Sequence, residues 1–96
     1  MSKYRRAAKR DANEREIIEA LQELGAYVIQ ESNIDLYVIW KGECYPMEVK
    51  MPKGRLTPYQ IGLHDKLMWE HEYIVPIVQT VDDALRVIGA IHDKDN

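Results

Sequence analysis

The sequence has little cysteine and no long apolar run, and both absences exclude classes of protein. Its one cysteine, Cys44, excludes an internal disulfide and a zinc site built from several cysteines, so an ordinary buried thiol is expected. No apolar run approaches the roughly 20 residues that a membrane-spanning helix needs, and no membrane role is expected. The basic N-terminus lacks the apolar stretch of a secretory signal, which predicts a cytoplasmic protein.

Acidic residues outnumber basic ones, but the charges are divided unevenly. The formal net charge of the 96 residues is −3. Residues 1–10 hold five of the 13 lysines and arginines and none of the 16 acidic residues. We therefore expect a basic arm, residues 1–10, a single domain, residues 11–92, and a short tail, residues 93–96. Such an arm can neutralise phosphates or can be a solvated tail.

Capping signals and helical periodicity predict three helices. Each begins with a polar residue that is followed three positions later by Glu, Gln or Asp, as in a capping box. The three pairs are Asp11 with Glu14, Thr57 with Gln60, and Thr80 with Asp83. Apolar spacing extends the first helix over residues 12–24, the second to about residue 71 and the third as far as residue 91.

Four predicted strands complete the domain. They span residues 26–29, 35–40, 44–51 and 74–78. The Lys41-Gly42 pair predicts a two-residue hairpin turn between the second and third strands. The resulting order, αβββαβα, predicts an α/β domain with a mixed central sheet flanked by helices.

Three charged residues interrupt the two apolar strands of this hairpin. Counting back from a turn at Lys41-Gly42 places Asp35 opposite Glu48, with Lys50 on the same face. Opposed carboxylates destabilise a sheet unless a cation bridges them, and Mg²⁺ commonly binds one or two carboxylates together with water and substrate phosphate. Lys50 would then orient the attacking water or neutralise charge on the phosphate. The trio predicts metal-dependent phosphodiester cleavage; the alternative is a solvent-facing hairpin that carries ordinary charges.

Four further residues are candidates near the trio. Glu14 shares the apolar face of the first helix and can supply a third acid, or can act only as a capping partner. Gln60 can contact the scissile phosphate or the nucleophilic water, or can likewise act only as a capping partner. Lys53 and Arg55 flank a glycine ahead of a helix N-terminus, which suits phosphate binding or a mobile loop. The histidines lack metal-binding spacing and are expected at the surface or in the core.

Several short motifs follow one another over about residues 10–90. They are Asn13-Glu14, Asp35, Glu48-Val49-Lys50, Leu56-Thr57-x-x-Gln60 and Val81-Asp82-Asp83-Ala84-Leu85. Asp35 with Glu48-Val49-Lys50 resembles the PD-(D/E)XK nuclease motif, and the complete series resembles the VRR-Nuc domain, a virus-type replication and repair nuclease of that superfamily. The resemblance implies a restriction-endonuclease-like core. One departure is Ile34, which stands where the family usually has proline.

The resemblance also implies a site and an activity. The implied roles are Asp35 and Glu48 as Mg²⁺ or Mn²⁺ ligands, the carbonyl of Val49 as a further ligand, Lys50 as the catalytic lysine, Glu14 as an accessory acid, and Gln60 as a substrate or water contact. The implied activity is that of a homodimeric DNA endonuclease acting on branched or flapped DNA, like a Holliday junction resolvase, in the host-cell cytoplasm if the protein is phage-encoded. The alternative is a non-catalytic DNA-binding module that retains the nuclease fold.

Overall fold

A computed structural model describes residues 11–92, in which three helices and four strands follow the order αβββαβα. The helices are α1, Glu14–Leu24, α2, Pro58–His71, and α3, Val81–Val87. The strands are β1, Tyr27–Gln30, β2, Leu36–Trp40, β3, Glu43–Val49, and β4, Ile77–Val78. The predicted α/β class and element order are confirmed. The predicted arm, residues 1–10, and tail, residues 93–96, lie outside the described residues.

The four strands form one mixed sheet in the order β1-β2-β3-β4. The first two strand pairs are antiparallel, and β3 with β4 is parallel. Lys41 and Gly42 both have positive φ, 50° and 82°, as the two central residues of a type I′ hairpin turn require. Trp40 therefore pairs with Glu43, and the register continues to Leu36 opposite Met47, as the turn predicted.

The hydrophobic core lies on one face of this sheet, against α1 and α3. Alternate residues of a strand point to opposite faces, so one set of β2 and β3 side chains meets these helices. The main buried residues are Leu36, Val38, Met47 and Val49 from the sheet, with Ile17, Leu21, Ala84 and Ile88 from α1 and the α3 region. The opposite face carries Tyr37, Cys44 and Glu48. The packing thus leaves one sheet face for groups other than the core.

Several details of the sequence prediction are wrong. The fourth strand is shorter than residues 74–78 because Pro76 has no N–H to donate, although its carbonyl accepts a hydrogen bond from Glu48. Helix α3 ends at Val87 instead of continuing to residue 91, and Gly89 has a φ of 83° that no helix continues through. Cys44 is exposed, because its strand position faces away from the core. No helix within residues 11–92 is long and apolar enough to cross a membrane.

Candidate active site

Asp35 and Glu48 meet where β2 begins and β3 ends. Asp35 directly precedes β2, and its Oδ2 accepts a hydrogen bond of 2.9 Å from the main-chain N–H of Val49. Glu48 is the penultimate residue of β3, with a fully buried side chain (0% exposed) that is hydrogen-bonded to the carboxyl group of Asp35. The contact that the hairpin register predicted is therefore present.

Burial dominates the protonation of the Glu48 carboxyl group. Burial, together with the hydrogen bond and the negative charge of Asp35, raises the pKa of Glu48 to about 8. The charge of Lys50 opposes the shift in pKa, and that of Glu14 contributes to it. Glu48 is consequently protonated at neutral pH unless a cation compensates the negative charge of the pair.

Gln60 combines the two roles that the sequence left open. Its main-chain N–H donates to Thr57 Oγ1 at 3.1 Å, and its Oε1 accepts from the Thr57 N–H at 2.9 Å, which completes a capping box at the start of α2. Its Nε2 donates to Glu48 Oε2 at 2.9 Å. The capping bonds hold the amide in the orientation that reaches Glu48, so the cap and the site share one side chain.

His64 also contacts the buried carboxyl group, which the sequence interpretation missed. Its Nε2 lies 3.0 Å from Glu48 Oε1, on the oxygen that Gln60 does not contact. Burial lowers the pKa of His64, so the ring is neutral at pH 7 and the contact is a hydrogen bond instead of an ion pair. The available signal was the four-residue spacing from Gln60, which places both side chains on one face of α2.

Lys50 follows β3 and lies beside the pair. Its main-chain N–H donates to Val78 at 3.0 Å. Its positive charge lowers the pKa of Glu48 and also that of His64, which places the ammonium group within electrostatic reach of both. The side-chain stem passes Gly54, where an added Cβ would lie 3.6 Å from the Lys50 Cδ. Lys50 therefore joins the carboxyl pair, as predicted.

The start of α1 is attached to the site by a different arrangement from the predicted cap. Asn13, not Asp11, occupies the N-cap position, and no side chain caps the helix. Asn13 Nδ2 donates to the main-chain carbonyls of Lys50, at 3.1 Å, and Gln79, at 2.7 Å. Asp11 Oδ2 instead accepts a 3.1 Å hydrogen bond from the Met51 N–H. The predicted Asp11 capping box is wrong because the side chains of Asp11 and Asn13 bind main-chain groups that directly follow strands β3 and β4.

Glu14 is buried at the start of α1 and does not serve as a capping partner. Its side chain is 3% exposed, and Gln30 Nε2 donates to its Oε2 at 3.4 Å. Its charge contributes to the raised pKa of Glu48. The structure thus brings Glu14 close to the pair, from the α1 side of the sheet.

The two predicted phosphate contacts lie at the rim. Lys53 and Arg55 are exposed in the loop that joins β3 to α2. This loop contains a turn in which the Gly54 N–H donates a hydrogen bond of 2.8 Å to the Met51 carbonyl. Both cations are therefore accessible to a ligand that approaches Lys50 from solvent.

The oxygen donors of the site fit a hard divalent cation. Within residues 11–92 no three His, Cys, Asp or Glu side chains are grouped to hold an ion. Two carboxylates are nevertheless a common protein contribution to Mg²⁺, with water and phosphate as the other ligands. The N–H groups of Glu48 and Lys50 donate to the β4 side, whereas that of Val49 donates to Asp35. The Val49 carbonyl faces the same edge as its own N–H, which makes it a compatible third donor.

The site is therefore a carboxyl pair, of which Glu48 is fully buried, with a lysine beside it, two hydrogen-bonding side chains from α2 and a basic rim. Such a group can bind a cation and present it to an anionic substrate. In comparisons with known proteins, no family model, curated protein or solved structure matches the chain. The functional proposal consequently depends on the site itself.

Proposed function

We propose that the protein is a Mg²⁺- or Mn²⁺-dependent DNA endonuclease with a restriction-endonuclease-like core of the VRR-Nuc type. The observation that carries the proposal is the hydrogen-bonded pair of Asp35 and Glu48, with Lys50 in electrostatic reach. A carboxyl pair with one fully buried member is costly for folding alone, because each charge disfavours ionisation of the other. A divalent cation that binds the pair would offset this cost, and metal binding would therefore account for two carboxyl groups in contact.

Asp35 and Glu48 would hold the ion, with the carbonyl of Val49 as the third protein ligand. When bound, a divalent ion polarises a phosphoryl oxygen and lowers the pKa of a bound water. Lys50 supplies a positive charge beside the phosphate and stabilises the negative charge that develops there during hydrolysis. Glu14 adds an acid at the edge of the site. Each proposed role uses a group that lies at the pair.

Gln60 keeps Glu48 in place and also lies at the N-terminus of α2, next to the basic loop. Lys53 and Arg55 would bind backbone phosphates on either side of the cleaved bond, and the α2 N-terminus would favour the same negative charge. The proposed substrate is branched or flapped DNA. The proposed assembly is a homodimer, in which two sites act on two strands.

A cleavage panel tests the proposal. Labelled linear, flapped and four-way DNA substrates are incubated with Mg²⁺ or Mn²⁺ and with unchanged protein, Glu48→Gln or Lys50→Ala. We expect metal-dependent cleavage by the unchanged protein and at least a hundredfold loss in each variant, because each removes a group that stabilises the transition state. The Glu48→Gln change is nearly isosteric, so circular dichroism should show an unchanged fold. Equal cleavage by the variants would refute the assignment.

A non-catalytic DNA-binding module is the second candidate, and one observation favours it. Glu48 is protonated at neutral pH and already bonded to Gln60, His64 and Asp35, so its polar atoms are satisfied without an ion. Calorimetry with Mn²⁺ separates the candidates. A nuclease binds the ion and loses this binding in Glu48→Gln, whereas a module binds DNA with salt-dependent affinity and takes up no Mn²⁺.

A further inference from the structure

Helix α2 supplies a hydrogen-bonding partner to each oxygen of the Glu48 carboxyl group. Gln60 Nε2 lies 2.9 Å from Oε2, and His64 Nε2 lies 3.0 Å from Oε1. The two α2 residues are one helical turn apart, so they approach the carboxyl group side by side. Because each oxygen has its own partner, the two contacts hold the plane of the carboxyl group in one orientation.

These contacts also tie α2 to the sheet. No residue of α2 is buried, so the helix is not anchored by an apolar side chain in the core. Glu48, in contrast, is fully buried in β3. Loss of either α2 contact should therefore directly change the orientation of the carboxyl group.

We propose that His64 is a positioning residue for metal binding, which with Gln60 holds the Glu48 carboxylate in the orientation that binds the ion. This inference rests on the proposed function and assigns it a residue that the motif series does not contain. Each carboxylate oxygen has two acceptor positions. With Gln60 and the Nε2–H tautomer of His64 donating to one oxygen each, an ion that replaces the proton shared with Asp35 finds an acceptor position open on Glu48. Fixing the orientation before the ion arrives reduces the cost of binding it.

The geometry favours positioning over direct ligation by His64. The ring nitrogen nearest the site is already directed at Glu48 Oε1. Mg²⁺ selects oxygen donors, and no His-containing group of three side chains within residues 11–92 is arranged to hold an ion. His64 thus acts on the ion through Glu48.

Calorimetric titration with Mn²⁺, without DNA, tests the role of His64. The full chain is compared with His64→Leu, His64→Gln and a control, His71→Leu, which changes an exposed histidine two turns further along α2. Loss of a group that supports a metal ligand typically weakens metal affinity 10- to 100-fold, and we expect at least a tenfold increase in Kd for His64→Leu. Glutamine places an amide N–H near the position of the imidazole Nε2, so His64→Gln should restore most of the affinity. His71→Leu should bind Mn²⁺ as the unchanged protein does.

Cleavage kinetics and thermal unfolding supply the second readout. In His64→Leu the Mg²⁺ concentration for half-maximal cleavage should rise, while kcat at saturating Mg²⁺ stays within a few fold and metal-free unfolding stays cooperative. Unchanged Mn²⁺ affinity in His64→Leu, or failure of glutamine to restore a lost affinity, overturns the positioning role and leaves the nuclease proposal standing. Absence of both Mn²⁺ binding and cleavage in the unchanged protein overturns both.

Discussion

The two faces of the sheet differ in what covers them. Against α1 and α3, the β2 and β3 side chains are apolar and buried, as Leu36 and Met47 show at 0% exposure. On the other face, Glu48 is equally buried but carries an ionisable group, and its cover, α2, buries none of its own residues. One face supplies apolar burial, and the other holds a carboxyl group whose burial costs free energy. The residues that stabilise the fold and the carboxyl group of the candidate site thus lie on opposite faces of one sheet.

Truncation of the core face should have the largest effect on stability. Leu36→Ala removes a fully buried side chain and leaves a cavity, so we expect the free energy of unfolding to fall by about 2–5 kcal/mol. Ile39→Ala, on the opposite face of the same strand and only half-buried, is the control and should cost less than half as much. Urea denaturation followed by circular dichroism measures both. Equal losses would mean that the α2 face contributes as much as the core.

The buried acid of the other face should make stability depend on pH. Because the pKa of Glu48 is about 8 in the folded protein and near 4.5 when unfolded, the folded state retains a proton that the unfolded state loses between these values. Stability should therefore fall as pH rises through this window, by up to about 1.4 kcal/mol per pH unit. His64 has the opposite effect below pH 6.5, because its pKa is lowered.

Measurements between pH 6.5 and 8 isolate the contribution of Glu48. Urea unfolding without metal should show the decline in the unchanged protein, and Glu48→Gln should flatten it because the amide does not titrate. Saturating Mg²⁺ should also reduce the decline if the ion competes with the proton, since a ligand that binds only the folded state stabilises it. A decline of equal slope in Glu48→Gln would assign the pH dependence to another group.

The sequence predicted the carboxyl pair because its position follows from local rules. A two-residue turn whose glycine accepts positive φ fixes the hairpin register, and this register brings Asp35 to Glu48. The capping box at Thr57 was equally predictable, because its two bonds span only three residues. Interactions within a turn or a hairpin are specified by neighbouring residues alone.

The errors arose where a distant partner decided the outcome. Asp11 and Asn13 are both good N-cap residues, and the carbonyls of Lys50 and Gln79 determine that Asn13 binds the strand ends. His64 had no recognisable metal spacing, and its contact with Glu48 becomes visible only when α2 lies beside Glu48. Such choices depend on tertiary contacts that a local pattern does not contain.

Two similar helix caps sharpen the comparison of the faces. Thr57 caps α2 on the site face, and Thr80 caps α3 on the core face, each with a complete capping box. Replacing either threonine by alanine should cost about 1 kcal/mol of unfolding free energy. Thr57→Ala should also weaken Mn²⁺ binding severalfold, because it removes the bond from the Gln60 main-chain N–H to Thr57 Oγ1, one of the two capping-box bonds that hold the residue contacting Glu48. Thr80→Ala should leave Mn²⁺ binding unchanged. Equal effects on Mn²⁺ affinity would show that α2 has no special connection to the site, because a general loss of stability would then explain both.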